Sequence, residues 1–247
     1  MIETFGKSQV ENLQQVFSNA ATRTGISFDF LVKTAARESG FQSAAKAKTS
    51  SAAGMFQFIE QTWLGVVARH GAKHGLANDA ALIEQNKNGR FSLTSTEHRN
   101  RILELRHDPA ISTVMAAELT ADNRDVLQAK LKRSPTDTEL YAAHFLGAGT
   151  ANTLLHAVAN TPNQSAALLF PKEAAANKHV FFTTKGTART AQELFAELGR
   201  LHGTDTPKLP QAISAAPNQT SQPTSATFGQ QLTGGWVRSP LLQLSPV

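Results

Sequence analysis

Apolar side chains in this chain recur every three or four positions and nowhere alternate one by one, so the element available for building a core is the amphipathic helix. Val10, Leu13, Val16, Phe17 and Ala20 predict a helix over about residues 7–22. A second begins near Ser27 or Asp29, either of which can cap it, runs through Leu31, Val32 and Ala35, and stops at Gly40. The stretch SSAAGMFQFIEQTWLGVVARHG reads as a turn, a short buried segment and a third helix capped by Thr62. Residues 71–100 are polar and interrupted by Gly71, Gly75 and Gly89, which predicts loops with short helical pieces. Asp108-Pro109 places a cap before a first-turn proline, and Ile111, Val114, Met115, Leu119, Val126 and Leu127 sustain one long helix or two broken ones. Thr136 and Glu139 have capping-box spacing and open the helix carrying Leu140, Ala143, His144 and Gly147. Shorter helices are expected near 163–169, 172–179 and 190–200, the last opened by Thr190 and Glu193. The expected fold is all-α, without internal repeats.

The chain has 247 residues, enough for a real core, and no cysteine, so disulfides and thiolate metal sites are excluded. Its net charge of +5 suits a polyanionic neighbour such as the acidic bacterial wall. The lysines and arginines are scattered without interleaved aromatics, which argues against nucleic acid. No stretch approaches the ~20 apolar residues of a membrane span. The start, MIETFGKSQVENLQQVF, lacks a basic segment followed by an apolar run, so no standard signal peptide is expected. From about Thr204 onward Pro207, Pro210, Pro217, Pro223, Pro240 and Pro246 are spread among Ser, Thr, Gln and Ala, the composition of a tail. A late apolar patch, Leu232, Trp236, Leu241, Leu242 and Leu244, is the part of it suited to docking.

One carboxylate stands out. Glu38 follows Leu31 by seven positions and Ala35 by three, so all three share a helix face, and that face is apolar. It also occupies the last helical turn, where backbone carbonyls present partial negative charge. Burial and the helix terminus both disfavour the ionised form. A carboxylic acid that keeps its proton is what glycosidic cleavage requires to protonate the departing oxygen.

Three blocks extend this reading: AARESGFQ at 35–42, SSAAGMFQFIEQTW at 50–63 and LYAAHFLGAG at 140–149. Their order and content resemble the soluble lytic transglycosylase family of goose-type lysozyme-like enzymes, over roughly residues 26–160. In that family a Glu-Ser-Gly ends a helix, a Ser-rich segment ending in Gln follows, and an Ala-Tyr-Asn-x-Gly block closes the cleft. The resemblance implies an all-α lysozyme-like fold with Glu38 as the general acid, followed by Ser39. It implies that Gln57 helps line the sugar site, with Met55 and Phe56 beside it, and that Ser50 or Ser51 contacts the same sugar. The third block departs from the pattern: His144 stands where Tyr is usual and Phe145 where Asn is usual. Histidine still donates hydrogen bonds, and Tyr141, the single tyrosine, lies one turn earlier. Packing roles for both remain open at this stage.

Other chemistry finds little support. His70 and His74 have helical metal-ligand spacing, but Gly71 and Gly75 break that helix and no Glu follows the first histidine, so no metal is expected. The serines lack a nucleophile-elbow context, and no phosphate-binding glycine loop is present. No cofactor is implied. Most glycosidases use two carboxylates, yet Glu60 and Asp79, the next candidates, sit on no motif. A single-acid scheme fits this shortage, and the resemblance implies its steps: Glu38 protonates the oxygen between N-acetylmuramic acid and N-acetylglucosamine, then takes the proton of the muramoyl C6 hydroxyl as a 1,6-anhydro sugar closes. The alternatives are hydrolysis, as in goose-type lysozymes, and a wall-binding or assembly module without activity.

The expected organisation is an N-terminal helix at 1–25, the lysozyme-like domain at 26–160, a helical extension packed on it at 161–203 and the tail at 204–247. The expected partner is the peptidoglycan glycan strand, in the periplasm or cell envelope. The tail would dock onto a secretion, flagellar or phage-type assembly. Because the tail's composition cannot bury a core, truncation at Thr204 is expected to leave a cooperative thermal transition and full catalysis. Loss of that transition in a melting curve would move the boundary.

Overall fold

The computed structural model describes residues 13–48 and 50–210. Val10, the first turns of the predicted N-terminal helix and the apolar patch around Trp236 lie outside these residues. Helix α1 (Leu13–Thr24) turns Leu13, Val16, Phe17 and Ala20 inward, as its period demands. Helix α2 (Phe28–Ser39) is capped by Ser27, whose hydroxyl accepts the Phe30 N–H at 3.4 Å, and ends at Gly40 in the left-handed conformation. Helix α3 (Glu60–His70) carries Trp63, fully buried, with Nε1–H donated to the Ile102 carbonyl at 2.7 Å. Thr62 is not its cap. The helix starts two residues earlier, and Ser51 Oγ from the preceding loop accepts the Glu60 N–H at 3.2 Å, leaving Thr62 buried inside the first turn.

Residues 71–108 hold more structure than their polarity suggests. A 3-10 turn at Gly71–His74 leads to α4 (Ala77–Ala81), an antiparallel pair β1 (Glu84–Gln85) and β2 (Phe91–Ser92), and α5 (Thr96–Glu104). The hairpin needs no alternating pattern because side chains shape it. Asn86 Oδ1 accepts the Asn88 and Arg90 N–H groups at 2.9 and 3.0 Å, and the Gln61 amide brackets the Phe91 backbone from α3.

Helix α6 (Pro109–Leu131) is one continuous helix, with Asp108 Oδ1 accepting the Ile111 N–H at 2.8 Å and proline in its first turn. It runs through the centre, with α1, α3, α2, α7 (Asp137–Leu146) and α8 (Ala148–Asn160) packed against it. The Thr136–Glu139 capping box opens α7, and Arg133 anchors Glu139 from outside at 2.6 Å. Helix α8 escapes a reading by caps: Gly147 at φ 81° ends one helix and starts the next with no side-chain signal. Then come α9 (Ala166–Leu169), α10 (Pro171–Ala176), α11 (Lys178–Phe181) and α12 (Ala191–His202), the last opened by the Thr190–Glu193 capping box. Helix α12 packs on α7, α8 and α2. Contact with the core continues past it: Lys33 Nζ donates to the Thr204 carbonyl at 2.9 Å, and Leu209 packs against the core.

One close approach holds the loop between α2 and α3. Arg106, nearly buried, donates to the carbonyls of Ser51 (2.7 Å), Phe58 (3.1 Å) and Leu103 (2.8 Å). Gly54 sits at φ 78°, and a Cβ there would lie 1.9 Å from the Arg106 carbonyl oxygen. Gly54→Ala therefore combines backbone strain with a backbone clash and is expected to cost about 2–4 kcal/mol in urea unfolding.

Candidate functional site

The site starts with where α2 must end. The Gly40 N–H reaches the Ala36 carbonyl at 3.0 Å and the Phe41 N–H the Ala35 carbonyl at 3.4 Å, closing the last turn one residue after Glu38 and Ser39. The helix buries the face formed by Leu31, Ala35 and Glu38, and Glu38 is 1% exposed. Neither carboxyl oxygen has a hydrogen-bond partner among the described residues. The group opposite is His144, whose Nε2 lies 3.6 Å from Glu38 Oε1, just beyond hydrogen-bonding distance. Burying a charge without donors costs far more than burying a neutral acid.

His144 is held from behind. Helix α7 places Tyr141 one turn before it, with rings stacked at 5.8 Å and 16°. The Tyr141 ring also stacks with His202, at 4.7 Å and 26°. His202 in turn touches Phe30 of α2, ring centroids 4.7 Å apart, and its Nε2 lies 3.4 Å from Thr34 Oγ1. Thr34 donates its own proton to the Phe30 carbonyl at 2.8 Å, so the imidazole N–H is the donor to the threonine. Burial is the main force lowering the His202 pKa to about 4, with the nearby His144 and Lys33 acting the same way against a raising contact with the Phe30 backbone. The ring is neutral at physiological pH. His202 was not among the residues expected here, although Leu194, Leu198 and His202 recur every four positions and so share the inward face of α12.

The second block meets the end of α2 directly. Ser39 Oγ donates to the Met55 carbonyl at 2.8 Å and accepts the Gln42 N–H at 3.0 Å. Met55 and Phe56 are 0% exposed and belong to the core. Gln57 is also buried, in the left-handed region at φ 50°, a conformation costly for a residue with a Cβ. Its Nε2 donates to the Gly54 carbonyl at 2.9 Å and the Ala45 carbonyl at 3.3 Å, while Oε1 has no protein partner. Ser50 and Ser51 are exposed, and their hydroxyls accept the N–H groups of Ala52 and Glu60. Of the expected residues, Ser39 meets Met55, Tyr141 meets His144 and His144 faces Glu38. Ser50 and Ser51 serve the loop instead.

The remaining candidates are engaged elsewhere. Glu60 pairs with Arg99, and Asp79 with Arg101. His70 and His74 face α6, where His74 Nε2 meets Glu118 at 2.7 Å and His70 Nε2 meets Asp122 at 2.9 Å, at a polar pocket of about 420 Å³. Among the described residues no group of three or more His, Asp or Glu side chains is arranged to hold a metal ion. Nor is any helix among them long and apolar enough to cross a membrane. No protein-family model matches the sequence.

His202 makes stability pH-dependent in a defined direction. A histidine whose folded pKa is lowered contributes fully above its unfolded value near 6.5, and that contribution is lost as pH falls toward 4. Between pH 7 and 4.5 the wild type is expected to lose about 2–3 kcal/mol more than His202→Phe, from the separation of the two pKa values. Urea unfolding of both proteins at the two pH values measures this difference.

Proposed function

We propose that this chain is a peptidoglycan-cleaving lytic transglycosylase with a lysozyme-like helical domain over residues 26–160 and Glu38 as its acid. The observation that carries the reading is the Glu38 carboxyl group: buried at a helix end, without a protein hydrogen-bond donor, and facing the imidazole of His144 at 3.6 Å. In the proposed reaction Glu38 gives its proton to the glycosidic oxygen as the bond to the muramoyl C1 breaks. The substrate's N-acetyl group stabilises the oxocarbenium-like centre. The Glu38 carboxylate then takes the C6 hydroxyl proton while that oxygen attacks C1, which returns Glu38 to its acid form. Because the carboxyl group is closed off from solvent, a sugar reaches it only as the groups covering it part.

The single-acid route over hydrolysis is supported by the fate of the other carboxylates. In the stretch between 71 and 108, Asp79 pairs with Arg101, Glu104 lies 3.8 Å from Lys46, and Asp108 caps α6. Glu84 and Glu97 are exposed. None faces Glu38 as a second carboxylate to activate water. A dry cleft favours the tethered C6 hydroxyl, whose effective concentration exceeds that of loosely held solvent. We place the activity in the periplasm or cell envelope, with glycan strands as substrate and the Pro-rich tail as the docking segment for a secretion, flagellar or phage-type assembly.

The test is a digest of purified peptidoglycan followed by mass spectrometry. The wild type is expected to release muropeptides one water lighter than hydrolytic products, and Glu38→Gln to release none while melting at the wild-type temperature. Reducing muramic ends would make the protein a lysozyme. Binding to peptidoglycan without any release would make it a wall-binding module.

A further inference from the structure

His202 belongs to α12, beyond the segment that resembles the transglycosylase domain, yet its side chain lies beneath the site. Four rings form one chain of contacts: Phe30 on α2 meets His202 on α12 at a tilt, His202 stacks on Tyr141, and Tyr141 stacks on His144 of α7, with the Glu38 carboxyl group opposite the last. Both ends of this chain of contacts rest on α2, since Phe30 and Glu38 are two turns apart on that helix. A loose imidazole at His144 would have rotamers to choose from. Tyr141 blocks one of its faces, and Tyr141 itself is clamped by His202. His202 is pinned by its contact with Thr34 and is 5% exposed. The groups around this ring are Phe30, Lys33 and Thr34 from α2 and Tyr141 and His144 from α7.

We propose that His202 is a positioning residue, which through the face of Tyr141 holds the His144 ring opposite Glu38. This rests on the lytic reading above, with the His144 imidazole that faces Glu38 taken to orient that acid or the sugar. A flat ring at position 202 is what the stack requires, while its charge is not used, because the site buries it neutral. The inference therefore separates ring from titration: His202→Phe keeps the plate, and His202→Ala removes it.

Turnover of peptidoglycan fragments is measured for the wild type, His202→Ala, His202→Phe, His144→Ala and the double variant His144→Ala/His202→Ala, at a temperature well below every melting transition. His202→Ala is expected to lower kcat on the order of tenfold with KM little changed, as a small misplacement of an acting group does. His202→Phe is expected to restore kcat to within about threefold of wild type, since the ring that positions the group is back. In the His144→Ala background, removal of His202 is expected to have no further effect on kcat. Equal losses with and without His144, or no rescue by phenylalanine, overturn the inference while leaving an active enzyme and the lytic reading intact. A wild type that releases nothing overturns both. Histidine-ring NMR provides a readout independent of turnover: the His144 resonance, assigned with His144→Ala, is expected to shift or broaden in His202→Ala and to stay in place in His202→Phe. An unmoved resonance in His202→Ala also overturns the inference.

Discussion

A helix buried on every side dictates the arrangement of everything around it. Ten consecutive residues of α6, Ser112 to Ala121, are buried, which is more than two full turns with no face left for solvent. Such a segment must be surrounded, and its polar groups must be satisfied locally. Thr113 and Thr120 return their hydroxyl protons to carbonyls four residues back, at 2.6 and 2.8 Å. With α1 along one flank and α3, α7 and α8 on the others, α2 and α7 both come to rest on the same central rod. That common support brings the end of α2 and the end of α7, and with them Glu38 and His144, to within 3.6 Å.

Two buried carboxylates in this core show how differently the same group can be used. Glu118 has His74 at 2.7 Å, His70 at 3.3 Å and Lys73 at 3.8 Å, so its charge is met from several directions and its role is to tie α6 to the end of α3. Glu38 has no donor within hydrogen-bonding distance among the described residues, and the His144 imidazole lies just outside it. A satisfied buried carboxylate is an architectural part. An unsatisfied one beside a titratable ring is a candidate for chemistry.

Legibility from the sequence followed the locality of each signal. The Ser27, Asp108, Thr136 and Thr190 caps and the Gly40 stop were readable because each acts within one turn of itself. The inward face of Leu31, Ala35 and Glu38 was readable because helical period alone determines it. Helix α8 was not, since its start is a bare glycine, and neither was the hairpin, whose shape comes from Gln61 thirty residues away. Thr62 misled because the donor-accepting hydroxyl came from Ser51, across the loop. The same distinction divides the site. Glu38 carries its own signal, whereas His202 acquires its position only when α12 folds back over α2 and α7.

The arrangement at the end of α2 carries a cost. Glu38 Oε1 and Oε2, Gln57 Oε1 and His144 Nε2 are buried with no hydrogen-bond partner among the described residues, and Gln57 is in addition held at φ 50°. Each unmet polar atom costs about 1–3 kcal/mol and the backbone strain a similar amount. Side chains elsewhere in the core could have been apolar at no such cost, as Met55 and Phe56 are in the same loop. Unmet polar atoms also occur outside these blocks, at His107 Nε2 and Asn177 Oδ1. Under the proposed lytic reading, a glycan with hydroxyl and N-acetyl groups would offset the part of this penalty that falls in the three blocks.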